Sequence, residues 1–133
     1  MLHLPALQTA PINSLGMIVF WIAFFAVLLA LIITFETTAL QWMRWGSFRT
    51  CLKHAAIANL VSCLAGFASL YLVVVLGMLG IGLSWAVSLL IEGFALGRLQ
   101  PAERGRAYRV ALAANLVSYL LLILPAYLAA ESL

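Results

Sequence analysis

Six polar residues that interrupt long apolar runs are the chain's main candidates for chemistry. They form two sets of the same types, each with a carboxyl, a carboxamide and a hydroxyl: Glu36, Asn59 and Ser62, then Glu92, Asn115 and Ser118. Each serine follows its asparagine by three positions, so both lie on one side of a helix. This combination of functional groups is compatible with an interhelical hydrogen-bonded clamp, a contact with a partner protein, or a site that binds a proton or a cation.

The two sets are related by a repeat of 56 positions. Between residues 25–72 and 81–128, thirteen of 48 positions are identical without a gap. About four identities would be expected by chance in a chain so rich in leucine and alanine. We therefore predict an internal duplication, with the two sets at equivalent places in two similar units.

The composition excludes a water-soluble domain. The chain has 133 residues, of which 66% are hydrophobic and 8% charged, and its mean hydropathy is +1.16. A soluble domain carries about 25% charged residues. We expect an integral membrane protein in contact with the lipid bilayer.

Four apolar segments predict the architecture: residues 15–40, 54–79, 81–99 and 106–130. Each is near or above the roughly 20 residues that a helix needs to cross a membrane, and none alternates like a barrel strand. The expected fold is an all-α membrane protein of four transmembrane helices in two tandem helix pairs. Its parts are a lead-in (1–14), repeat 1 (15–79) and repeat 2 (80–133). Two helices per repeat give both repeats one orientation, with a pseudo-twofold axis along the membrane normal.

All seven basic residues fall in two stretches between these segments: Arg44, Arg49 and Lys53 in the first, then Arg98, Arg104, Arg106 and Arg109 in the second. The positive-inside rule places both basic loops in the cytoplasm and both termini outside, in what we expect to be a bacterial inner membrane. Loops this short offer no surface for nucleic acid, but they can contact anionic headgroups. Trp42, Trp45 and Tyr108 lie near the loops and predict an aromatic belt there.

The expected depth of the polar residues follows from their distance to the loops. Glu36 and Asn59 should both lie roughly 9–12 Å inside the cytoplasmic ends of their helices, and the same holds in the second repeat. Each carboxyl is expected to meet the asparagine and the serine of its own repeat. Lys53 or Arg109 lies nearby at the surface and could approach it.

Other polar residues carry weaker signals. Ser84 and Ser88 lead to Glu92 in a stripe, but the matching positions in repeat 1 are apolar, which argues against a conducting path. We expect the stripe to pack against a neighbouring helix, with Gly93 and Gly97 giving a close contact. His54 is expected to be an interfacial anchor.

No cofactor, metal site or enzymatic activity is expected. Cys51 and Cys63 lack metal-ligand spacing and are predicted to be packing residues. The sequence contains no combination of serine, histidine and acid that predicts a catalytic triad, no phosphate-binding glycine loop and no Cys-x-x-Cys motif.

One stretch resembles a known family. The pattern Glu36…Lys53-x-Ala55-x-x-Ala58-Asn59-Leu60-x-Ser62-x-x-x-Gly66 is similar to that of the FraC-like filament-integrity membrane proteins of cyanobacteria. It covers about 30 residues and occurs twice, although Leu122 replaces the final glycine in the second copy. The resemblance implies a small non-enzymatic subunit of a cell–cell junction or envelope assembly.

Two classes of function therefore remain open. The first is a structural or assembly subunit that associates with itself or with other membrane proteins. The second is a small proton- or cation-coupled transporter in which Glu36 and Glu92 handle the ion. Glutamates that converge on a wet cavity would favour the transporter, and glutamates capped within their own repeats would favour the subunit.

Overall fold

The computed structural model describes residues 14–131, and within that range the side chains of all residues except 14, 65, 67–70 and 130–131. The described range is helical and contains no strand. Its α-helices are α1 (Ser14–Trp42), α2 (Phe48–Leu76), α3 (Met78–Leu99), α4 (Arg104–Ser118) and α5 (Leu124–Glu131). A 3-10 turn, Pro101–Glu103, precedes α4, and a π-helical turn, Tyr119–Ile123, joins α4 to α5. The predicted lead-in lies outside the described residues except for Ser14, which begins α1.

Three helical stretches are long and apolar enough to cross a membrane: Leu15–Trp42, Met78–Leu99 and Pro101–Ala129. They agree with the prediction of an all-helical membrane protein. The third stretch joins the 3-10 turn, α4, the π-helical turn and most of α5 into one segment.

The four long helical segments pack in a ring. α1 contacts α2 and α4, and α3 contacts α2 and α4. The core lies toward the end that carries the two basic loops, and many of its residues are small: Ala39, Leu40, Trp45, Cys51, Ala58, Ala95, Leu96, Ala107, Val110, Ala111 and Ala114. Small side chains let the backbones approach closely, which suits helix association where lipid removes most of the hydrophobic driving force.

The second helix begins earlier than predicted, at Phe48 rather than at residue 54. Ser47 caps its first turn, because the Ser47 hydroxyl accepts a hydrogen bond from the Thr50 backbone N–H at 3.4 Å. Basic residues propagate a helix well, so Arg49 and Lys53 do not interrupt it. The predicted start was too late because the polar residues before position 54 interrupt the apolar pattern on which the prediction depended.

The turn between α2 and α3 lies slightly earlier than the predicted break between segments 54–79 and 81–99. Gly77 alone makes it, with a φ of 54° that glycine adopts without steric cost. Gly80 and Gly82 belong to α3 instead. An added Cβ at Gly80 would overlap the Leu72 carbonyl and lie 2.7 Å from the Val73 Cα, so glycine permits the close contact of the two backbones here.

The π-helical turn before Pro125 explains how the last segment accommodates a proline. Proline has no backbone N–H, and in a regular helix its ring would clash with the carbonyl of residue 121. The wider turn at Tyr119–Ile123 relieves this conflict, and the helix resumes at Leu124.

Trp45 and His54 depart from their predicted interfacial roles. Trp45 is only 2% exposed, whereas Trp42 is 80% exposed. The Trp45 Nε1–H donates to Nδ1 of the buried His54 at 3.0 Å, which requires a neutral imidazole at that nitrogen. The pair anchors the first basic loop to α2, so the predicted belt and anchor roles of these two residues are wrong.

Candidate functional site

The structure brings the six sequence-predicted polar residues together, and we call them the glutamate cluster: Glu36 on α1, Asn59 and Ser62 on α2, Glu92 on α3, and Asn115 and Ser118 on α4. Five of them are buried, and Ser62 is partly buried. All four helical segments of the ring therefore contribute to one polar site.

Glu36 accepts hydrogen bonds from two helices. The Asn59 Nδ2 on α2 donates to its Oε2, and the Ser118 hydroxyl on α4 donates to its Oε1 at 3.1 Å. Asn59 uses the same amide nitrogen to bond the Ala55 carbonyl of its own helix at 3.0 Å. This second bond holds the carboxamide in the orientation that meets the carboxyl.

Glu92 repeats the arrangement at positions 56 further along. The Asn115 Nδ2 donates to its Oε2 at 2.5 Å and also to the Ala111 carbonyl at 3.1 Å. The Ser62 hydroxyl donates to Oε1 at 3.0 Å. Ser88, one turn earlier on α3, adds a bond to Oε1 at 2.9 Å that has no counterpart at Glu36 among the described residues.

The serines cross between the helix pairs, which corrects the expectation that each serine meets the glutamate of its own repeat. Ser62 belongs to the same helix pair as Glu36 but donates to Glu92. Ser118 belongs to the same helix pair as Glu92 but donates to Glu36. Residues three apart on a helix differ in direction by about 60°. Asn59 can therefore face α1 while Ser62 faces α3, and α4 behaves in the same way.

Each crossing serine has one hydroxyl hydrogen and two acceptors. The Ser62 oxygen lies 3.1 Å from the Asn59 carbonyl, and the Ser118 oxygen lies 3.2 Å from the Asn115 carbonyl, in addition to the glutamate bonds. A carboxyl protonated on Oε1 would donate to the hydroxyl, which would then donate to the carbonyl. The hydrogen bonds of the site can therefore be satisfied both with a protonated carboxyl and with an ionised one.

The basic residues do not neutralise the cluster. Among the described residues, the salt bridge that the structure contains joins Arg106 to Glu103 at 3.0 Å, and neither Lys53 nor Arg109 pairs with a cluster glutamate. Arg106 also donates to the Met43 carbonyl at 2.6 Å, which ties the two basic loops together. The remaining basic residues of the loops are exposed: Arg44, Arg49, Lys53, Arg98, Arg104 and Arg109.

A cavity of about 190 Å³ opens next to the Glu92 side of the cluster. Its polar lining comes from Ser62, Ser84, Ser88 and Tyr119, while Gly66, Val73 and Val87 complete it. Neither glutamate lines the cavity, but Ser62 and Ser88 both line it and donate to Glu92. Tyr119 was not among the predicted site residues, although its position next to Ser118 was a possible signal.

Within residues 14–131, no group of three or more histidine, cysteine, aspartate or glutamate side chains could hold a metal ion. Cys51 is buried and Cys63 exposed, and both are free thiols.

Searches against protein-family models, curated proteins and solved structures found no match. The resemblance to FraC-like proteins therefore stays a prediction.

Proposed function

We propose that the chain crosses the membrane four times as a duplicated helix pair. At about 1.5 Å per residue, the 29 residues of α2 extend about 43 Å, enough for a fourth span. The duplication is supported by equivalent hydrogen bonds 56 positions apart, from Asn59 to Glu36 and from Asn115 to Glu92. The repeats would share a pseudo-twofold axis along the membrane normal, with both basic loops cytoplasmic and both termini outside.

Its proposed role is that of a small non-enzymatic subunit of a larger membrane assembly, the role that the resemblance to FraC-like proteins implies. The observation that supports this most is the crossed hydrogen bonding of the glutamate cluster. Asn59 and Asn115 close each helix pair, and Ser62 and Ser118 join one pair to the other. The chain's own side chains satisfy both carboxyls, which suits a rigid clamp.

The outer half of α1 supports association with a partner. Every residue from 15 to 27 is exposed, so the side chains of this stretch are not buried in the chain's own core. It carries a run of aromatic rings, Phe20, Trp21, Phe24 and Phe25, which contact one another at centroid distances of 5.6–6.4 Å. Such a surface can pack against another membrane helix, from a second copy or from a different protein.

A proton- or cation-coupled transporter is the second candidate, and the cavity beside Glu92 favours it. Ser62 and Ser88 link this polar cavity to the carboxyl. Symmetric transport would need the same access at Glu36, but Leu28 and Ile32 replace the serines at the matching positions. We therefore place this function second.

Photo-crosslinking in cell membranes tests the subunit hypothesis. A photoreactive residue placed at Phe24 should give discrete protein adducts, whereas one at Val74, which is 79% exposed on α2, should react mainly with lipid. Lipid adducts alone at both positions would contradict the proposed partner surface.

Purified protein in liposomes under a pH gradient tests the transporter hypothesis directly. We expect no proton or sodium flux above that of empty liposomes. A flux that both Glu36→Gln and Glu92→Gln abolish would replace the subunit hypothesis with the transporter.

A further inference from the structure

A surface groove between α3 and α4 combines an open space with two arginines. It encloses about 290 Å³ and is lined by Gly93, Phe94, Gly97, Arg98, Arg104 and Tyr108. It lies at the end of the bundle that carries the basic loops. None of its lining residues belongs to the glutamate cluster, although Gly93 directly follows Glu92 on α3.

Two glycines one turn apart form the floor of the groove. An added Cβ at Gly93 would overlap the Tyr108 ring, so this ring packs directly on the α3 backbone. At Gly97, an added Cβ would lie 3.4 Å from the Arg104 Cγ and 3.6 Å from the Ala107 Cβ. The absence of side chains at these positions lets α4 approach α3 closely.

The two arginines have no acidic partner among the described residues. The Arg98 guanidinium carbon lies 5.5 Å from the centroid of the Phe94 ring, and Arg104 projects from the first turn of α4. Both side chains are exposed, and the salt bridge found among the described residues joins Arg106 to Glu103 instead. A guanidinium pairs with phosphate through two parallel hydrogen bonds, so the two arginines together suit a phosphate group.

The lining changes from charged to apolar along the groove. Phe94 is 59% exposed and Tyr108 is 45% exposed, and they lie one turn from Arg98 and Arg104 respectively. An anionic phospholipid has the same order of chemistry, with a phosphate headgroup above an acyl chain. Basic pockets between helices on the cytoplasmic side of a membrane are known to bind such headgroups.

We propose that this groove binds one anionic phospholipid, with its phosphate between Arg98 and Arg104 and its acyl chain along Phe94 and Tyr108. This inference goes beyond the proposed function and requires only that α3 and α4 lie in the membrane. The assembly role could fail in the photo-crosslinking test and leave the lipid site standing.

The equivalent positions of the first helix pair lack this chemistry. Residues 56 positions earlier are Thr37, Thr38, Gln41, Trp42, Phe48 and Leu52, which include neither an arginine nor a glycine. The site is therefore specific to the second pair. The first basic stretch provides a matched control, because Arg49 and Lys53 are exposed and carry the same total charge.

The test titrates detergent-solubilised protein with phosphatidylglycerol while following its thermal melt, and counts retained lipids by native mass spectrometry. We expect a saturable rise in melting temperature with phosphatidylglycerol and none with phosphatidylcholine. The Arg98→Gln/Arg104→Gln variant should weaken the apparent affinity about tenfold or more. The Arg49→Gln/Lys53→Gln control should bind as the wild type does.

Three outcomes would overturn the proposal. Equal weakening in the control variant would mean that the lipid responds to overall charge rather than to the groove. An equal thermal shift with inorganic phosphate would assign the groove to free anions. An unchanged affinity in the Arg98→Gln/Arg104→Gln variant would mean that the lipid binds elsewhere.

Discussion

Replacing Asn115 with leucine is expected to destabilise the protein by about 1–3 kcal/mol, the usual cost of leaving a buried polar group without its partner. Asn115 is 1% exposed and closes the α3–α4 pair by donating to both Glu92 and the Ala111 carbonyl. Leucine has a similar size but donates no hydrogen bond, so Oε2 of Glu92 would lose the donor that it has in the structure. Equilibrium unfolding in mixed micelles measures the effect.

A compensating variant shows whether the loss comes from the hydrogen bond. Removing both partners of a buried pair costs much less than removing one of them. Adding Glu92→Met to Asn115→Leu should therefore recover part of the lost stability. A single Asn115→Leu variant as stable as the wild type would show that Asn115 does not hold the helix pair together.

Replacing Gly80 with alanine should have the second large effect, a loss of about 1–3 kcal/mol typical of overpacking. The added methyl group would overlap the Leu72 carbonyl, and because that atom belongs to the backbone, α2 and α3 would have to separate. A thermal melt in detergent, combined with a proteolysis assay at the α2–α3 turn, measures this.

Gly82→Ala is the matched control for Gly80→Ala. It lies on the same helix two residues later, and an added Cβ there would meet nothing within 4 Å. Exchanging glycine for alanine inside a helix should stabilise it by about 0.5–1 kcal/mol. Equal destabilisation by both substitutions would show that the α2–α3 contact is not the reason for glycine at position 80.

The sequence was informative about which residues meet, since rare polar types recur in an apolar chain at a constant spacing. Glu36 and Asn59 could be paired because antiparallel neighbours place them at one depth. The crossing of Ser62 to Glu92 could not be predicted, because it depends on how far each helix is rotated toward its two neighbours. Helical periodicity fixes the angle between the Asn59 and Ser62 side chains. It does not fix which neighbouring helix either side chain faces.

The Trp45–His54 pair shows a second limit of sequence patterns. A tryptophan and a histidine beside basic loops have the composition of interfacial anchors, and Trp42 is indeed exposed. The early start of α2 carries His54 inward and leaves a short loop that folds Trp45 over it. Burial here follows from the loop geometry, which composition does not reveal.

The central claim is that the glutamate cluster joins the two helix pairs through crossed bonds, and double-mutant cycles test it most directly. Combining Glu36→Met with Ser118→Ala, and Glu92→Met with Ser62→Ala, should give coupling energies of about 0.5–1.5 kcal/mol in unfolding measurements. Combining Glu36→Met with Ser62→Ala, and Glu92→Met with Ser118→Ala, should give smaller coupling energies, because Asn59 and Asn115 link these residues only indirectly. Coupling confined to these same-repeat combinations, or additivity in all four cycles, would contradict the crossed clamp.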